Sequence, residues 1–205
     1  MTKLSRKMIS SLNWKSLSCA LFLVIILITP VYAQITNYTI APESNIYVDG
    51  TSNQTPEWRV YATEITGTVN LNEEGNVDTA RIIVPSKMMK SKKSPIMDRG
   101  MYDALQANDF PEIIYKLASV SDVTASNDTM FTLNATGNLT IAAETKEINL
   151  PVEGIRKPGG AIHFRGTHEL LMTDYGLKPP SLMFGRLRTG DELVITFEIV
   201  AVPAE

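Results

Sequence analysis

The chain has one cysteine, Cys19, and only two histidines, His163 and His168. Cys19 precedes an apolar run near the N-terminus instead of following it, so it is not placed as a lipoprotein cysteine. Once that segment is removed, no thiol is left for a disulfide, a thiolate nucleophile or a cysteine–zinc centre. The two histidines stand five residues apart in an alternating stretch. On a strand an odd spacing turns them to opposite faces, so they cannot share a metal. There is no G-x-S-x-G elbow and no obvious cleft-forming pair of carboxylates. Internal repeats and a second domain are also lacking. The expectation is a protein without catalysis, metal or cofactor.

Long apolar runs are scarce as well. The one that exists, Ala20 to Ile28, has nine residues, against about 20 needed to span a bilayer. Lys3, Arg6, Lys7 and Lys15 precede it, and Val31-Tyr32-Ala33 follows as a peptidase site. That order of features predicts a secretory signal over 1–33, cleaved before Gln34, and a periplasmic or secreted domain over 34–205. Removing four of the 19 basic residues leaves 15 against 22 acidic ones, a net charge of −7. Such a balance excludes nucleic acid as a natural partner, because phosphate binding needs a basic surface. The one basic run, Lys87-Met88-Met89-Lys90-Ser91-Lys92-Lys93, is expected to be a solvated loop. Its functional alternative is a transient contact with a membrane surface, with Met88 and Met89 as adaptable apolar contacts. Nothing in the pattern specifies an oligomeric state.

Alternation of period two is abundant. From Phe131 to Ile141 the odd positions are apolar apart from Gly137, and the even positions are Thr or Asn. Successive strand side chains point to opposite faces, so one apolar row lies against one polar row. The chain is expected to turn through Glu144-Thr145-Lys146 into Ile148, Leu150 and Val152. Further strands are read at Ile46–Val48, Trp58–Thr63, Thr79–Val84, Ile113–Leu117, Ile162–Met172 and Leu193–Ile199, about eight in all. Ile82-Ile83 leaves the facing of one strand ambiguous, and Gln34–Ser44 reads as a loose polar leader. Glu73–Asn76, Lys157–Gly160 and Thr189-Gly190-Asp191 read as turns. A single helix is predicted over Pro95–Ala107, with Pro95 in its first turn and a stripe of Met97, Met101, Ala104 and Leu105. Leu182, Met183 and Phe184, around the Pro179-Pro180 pair, either pack under their loop or form a lip at a ligand mouth.

These features predict an all-β fold: a lipocalin-like antiparallel eight-stranded β-barrel with one short covering helix. Eight strands enclose a space that side chains fill or that holds one small ligand. The shared facing of Trp58, Val60, Ala62, Ile113, Tyr115, Leu117, Phe131, Leu133, Ala135, Leu139, Ile141, Ile195 and Phe197 nominates them as interior residues. Gly137 joins the same row, and Tyr102 and Leu105 join from the helix. The small residues Ala62, Ala135 and Gly137 are expected to leave volume inside.

Four segments carry a family resemblance. They are Tyr47-Val48-Asp49-Gly50-Thr51-Ser52, Arg99-Gly100-Met101-Tyr102 through Phe110-Pro111-Glu112-Ile113, Gly137-Asn138-Leu139-Thr140-Ile141 through Val152, and Thr173-Asp174-Tyr175-Gly176-Leu177-Lys178-Pro179-Pro180. In that order they resemble the YceI-like, polyisoprenoid-binding family over roughly residues 45–203. Members often carry a histidine just before the tryptophan matching Trp58. Here the run is Asn53-Gln54-Thr55-Pro56-Glu57, so no role of that imidazole transfers. The resemblance implies a carrier whose barrel takes an apolar lipid or isoprenoid chain as its ligand. A filled structural barrel and a lipid-modifying enzyme are the rival readings.

Overall fold

The computed structural model describes residues 36–54, 57–91, 95–182 and 184–204, so the expected signal segment, 1–33, lies outside the described residues. Twelve strands occur: β1 Thr36–Ile40, β2 Asn45–Ser52, β3 Trp58–Ala62, β4 Thr66–Leu71, β5 Val77–Pro85, β6 Met89–Lys90, β7 Glu112–Ala125, β8 Met130–Ile141, β9 Glu144–Arg156, β10 Ile162–Leu171, β11 Ser181–Leu182 and β12 Leu187–Pro203. Among the described residues one α-helix, α1, spans Pro95–Ala104.

The strands join into a closed antiparallel barrel of eight staves. Three staves are interrupted: β1 with β2, β3 with β4, and β5 with β6. β1 and β2 lie along one edge of β12, with Tyr38 opposite Pro203 and Val48 opposite Ile195. Their other edges take β4 and β3. From β5 the order runs through β7, β8, β9 and β10 back to β12, each beside its sequence neighbour. The β9–β10 seam is the short one: only Glu153–Arg156 and Ile162–Arg165 pair across it, and the strands run on from there without a ladder between them.

Alternation sets the facing. Every odd residue from Phe131 to Ile141 is buried, and Thr132, Asn134, Thr136, Asn138 and Thr140 are not. Arg59 lies outside, paired with Asp49 at 2.6 Å. Thr140 also lies outside, its Oγ1 2.8 Å from Thr145 Oγ1. The ambiguity at Ile82-Ile83 resolves with Ile82 and Val84 on the core side. The Asn72–Asn76 hairpin and the Pro158–Gly160 turn occur where expected.

Four expectations need correcting. From Thr36 on, the expected loose leader is structured: Thr36–Ile40 is β1, and its Tyr38 is buried. The last residues of β12 have no other partner on that edge, so a short alternating pentapeptide supplies it. Ser44 fills the break that follows, its Oγ accepting from the Val200 N–H at 2.9 Å. The turn after β8 falls at Ala142-Ala143, with Ala142 at φ 50°, so Glu144–Lys146 already belongs to β9. Thr189–Asp191 lies inside β12, where the register shifts between Thr189 and Leu193, a bulge instead of a turn. The helix ends at Ala104, short of Ala107, and Gln106 is left-handed (φ 51°) in the turns that follow.

The two barrel ends differ. At one end Phe131 and Phe164 meet edge to face, 6.2 Å between centroids, and Arg156 lies 4.8 Å over the Phe131 ring. With Tyr38, Ile162 and Ala201 they form a closed floor. At the other end stand α1, the Met172–Tyr175 turn and the short β11–β12 hairpin.

Candidate functional site

Between the floor and α1 lies a cavity of about 390 Å³. That is within the range of small-molecule sites, which are mostly apolar with a few polar groups. All eight staves contribute. Val60, Val69, Ile82, Leu117, Leu133, Leu150, Phe164 and Ile199 line its depth. Met97, Gly100, Met101 and Ala104 of α1 cover it with Leu105 just beyond the helix, and Pro180, Leu187 and Thr189 stand at its rim.

Of the residues nominated from sequence, Trp58, Val60, Leu105, Ile113, Tyr115, Leu117, Leu133, Ala135, Leu139, Ile141, Ile195 and Phe197 line this space. Four do not. Phe131 belongs to the floor, behind Phe164, which lines the cavity. Ala62 closes β3, where pairing passes to Met89 of β6, and packs in the core beside it. Tyr102 lies on the other face of α1. Its Oη accepts from Lys90 Nζ at 2.6 Å and is 2.9 Å from the carbonyl oxygens of Lys87 and Met89. It therefore ties α1 to β6 instead of meeting the lumen. Gly137 faces inward but is hidden under the Tyr115 ring.

That arrangement recurs. A Cβ on Gly137 would fall 2.5 Å from Tyr115 Oη, and one on Gly166 would fall 2.6 Å from the Phe197 ring. Gly50 under Trp58 and Gly154 under Phe131 are alike. In each case an inward aromatic lies down on a cross-strand neighbour that has no side chain. Three of these rings, Trp58, Tyr115 and Phe197, are thus laid along the cavity wall, and the fourth, Phe131, in the floor. The expectation that Gly137 leaves volume directly is replaced by this: glycine gives its volume to a ring, and the flattened ring leaves the lumen open.

Sequence reasoning missed the β9 row, Ile148, Leu150 and Val152, as lining, although its alternation was legible. It also missed His168, which is half-buried and lines the cavity. Polar lining is sparse: Ser52, Ser91, Tyr115, His168 and Thr189. Tyr115 Oη is buried and has no hydrogen-bond partner among the described residues. Burial pushes its phenol up to about 12. Burial also holds the His168 imidazole below its ordinary 6.5, against an opposing pull from Glu169. Both groups are therefore neutral near pH 7, which suits an apolar interior. Among the described residues no three His, Cys, Asp or Glu side chains come together as a metal site.

The basic run is partly folded in. Met89 is buried, so only Met88 of the pair is exposed. Lys90 is engaged with Tyr102. Phe184 stands wholly in solvent, while Leu177 packs beneath the turn with Tyr175.

Residues 38–201 match the YceI-like domain family. No curated protein matches the chain. Among solved structures, Burkholderia cenocepacia BcnA is similar at 16% identity and a TM-score of 0.60, covering 78% of this chain and 96% of its own. A polyisoprenoid binding domain from Saccharophagus degradans, implicated in plant cell wall breakdown, is similar at 11% identity and a TM-score of 0.63, covering 83% of this chain and 100% of its own. The Campylobacter jejuni YceI protein is similar at 14% identity and a TM-score of 0.55, covering 71% and 85%.

Proposed function

The chain belongs to the YceI-like domain family, and from that premise we propose that it is an exported carrier that holds the apolar chain of an isoprenoid or similar lipid inside its barrel and releases it unchanged. The export follows from the N-terminal signal pattern, Lys3 to Ala33. The observation that carries the reading is the cavity: about 390 Å³, lined almost wholly by apolar side chains and covered by a helix. A filled structural barrel accounts poorly for that space. A lipid-modifying enzyme would need convergent titratable groups, and among the lining side chains only Tyr115 and His168 titrate.

The energetics suit a carrier. Burying ten methylenes contributes roughly 8 kcal/mol, equivalent to micromolar affinity before the cost of association. No specific polar contact is required for such binding, so chain length and shape decide selectivity.

A cavity-filling variant tests this. Ala135 lies in the wall, buried, on the inward row of β8. Ala135→Leu is expected to weaken uptake of a fluorescent polyprenyl probe about tenfold, which corresponds to about 1.4 kcal/mol. Its thermal midpoint should hold, since the added methyls enter open space. Unchanged probe affinity in a folded variant would contradict binding inside the barrel.

A further inference from the structure

The cavity wall holds one side chain that titrates near neutral pH, and binding an apolar chain makes no use of it. His168 stands on the inward row of β10 with Phe164 and Leu170, both buried. It makes no hydrogen bond among the described residues. It also lies past the point where the β9–β10 ladder stops, at Glu153 and Arg165. His163 stands on the opposite row of the same strand and is not part of the cavity wall.

No counter-charge waits inside for an imidazolium. Among the described residues no Lys, Arg, Asp or Glu lines the cavity. The neighbouring elements keep their charges elsewhere. On β12 the partner of His168 is Ile195, while Glu192 and Glu198 are exposed on the outward row and Asp191 is bound to Thr173. On β9 the inward residues are Ile148 and Leu150. Lys146 and Glu147 are exposed, and Glu153 is paired with Arg165 of β10 at 2.6 Å. The Met172–Tyr175 turn carries Asp174, which is exposed, and Tyr175, which is buried. Tyr115, the other ionisable lining group, is neutral near pH 7. Only Glu169, next in the chain, favours the charged form, and burial outweighs it.

We propose that His168 is a proton-operated release switch: the neutral imidazole accepts an apolar chain lying against it, and the imidazolium, which such a chain would strip of water, expels it. A charge held against apolar surface without a partner is costly. A chain in the cavity takes water from the imidazole, so loading disfavours the imidazolium further. By linkage, protonation then disfavours loading to the same degree. Affinity is therefore full above the pH at which His168 of the empty protein titrates, and it falls as pH drops through that point. The switch rests on the carrier reading.

The test is binding of an uncharged fluorescent polyprenyl probe by the exported protein from pH 7.5 to 5.5. The wild type is expected to bind about fivefold or more weakly at the acid end. His168→Gln, neutral throughout, should bind with the same affinity across the range. A second readout follows the imidazole protons by NMR, with His163 as the reference in the same spectrum. Probe loading should move the His168 titration to lower pH and leave that of His163 in place. This shift does not depend on the substituted protein folding. Wild-type affinity that ignores pH, an equal fall in His168→Gln, or a His168 titration unmoved by loading would overturn the switch while leaving the carrier reading intact. Refusal of the probe at every pH would overturn both.

Discussion

Tyr115 and Gly137 show how much one missing side chain decides. The Tyr115 side chain rests where a Gly137 Cβ would be, its Oη at 2.5 Å and ring carbons at 2.6 Å. Gly137→Ala must push that ring away or strain the strand, and overpacking of this kind costs about 1–3 kcal/mol. A drop in the urea midpoint is expected, largely recovered in the double variant with Tyr115→Leu, which removes the obstructing ring. Additive losses in that cycle would show that the two residues do not oppose each other. His168 gives a second test at this scale. Its folded pKa lies below the ordinary 6.5 because burial disfavours the imidazolium. The unfolded chain therefore takes up the proton first as pH falls. The His168 contribution to stability is present above about 6.5 and is lost as pH drops toward the folded value. Midpoints measured from pH 7.5 to 5 should fall more steeply in the wild type than in His168→Gln. Parallel curves would place His168 in water. At this scale the sequence was readable where alternation was strict, as from Phe131 to Ile141. It was opaque where a ring lies down on its neighbour, because nothing in Gly137 or Gly154 names the strand across from it.

At the scale of elements, the barrel shows which strands announce themselves. Long, uninterrupted staves such as β8 and β9 were legible because one apolar row faces one polar row. Each broken stave was legible in one half, β2, β3 or β5, and not in the other. β1 reads as a polar leader, and β4, Thr66–Leu71, holds only two apolar residues, Val69 and Leu71. Both are strands because closure demands partners for β12 and β5, a long-range requirement that no local pattern carries. The helix is the opposite case: stripe, proline and position were local signals, and only its last turn was overestimated. None of its residues is buried, so α1 is a cover more than a core element. Among the described residues, Asp98 Oδ1 accepts from the Ser91 N–H at 2.8 Å, and Tyr102 Oη meets β6. Amide hydrogen exchange should be markedly faster in 95–104 than in β8 and β9. Leu105→Asp, which sets a charge against the apolar cavity, should speed release of a bound polyprenyl probe with a modest loss of stability. Global unfolding by that substitution, together with strand-like protection of the helix, would make α1 core instead of lid.

At the scale of the molecule, the chain closes a single barrel whose two ends are unlike. The Phe131–Phe164 floor is sealed, and the other end is covered by a lightly held helix and a hairpin. Under the proposed carrier function, the helix-covered end is the one through which an apolar chain would enter and leave. The architecture was legible from the strand count and the lone amphipathic helix. Open volume was expected from the small residues Ala62, Ala135 and Gly137 and from the family resemblance, since alternation alone also describes a filled core. The central claim is that this volume holds a lipid chain. Mass spectrometry of an organic extract of the protein, exported and purified without detergent, tests it most directly. The expected result is about one long-chain apolar lipid per barrel, diminished in Ala135→Leu. An extract with no lipid above the level carried by a denatured control, from a wild type that also refuses a polyprenyl probe, would contradict it.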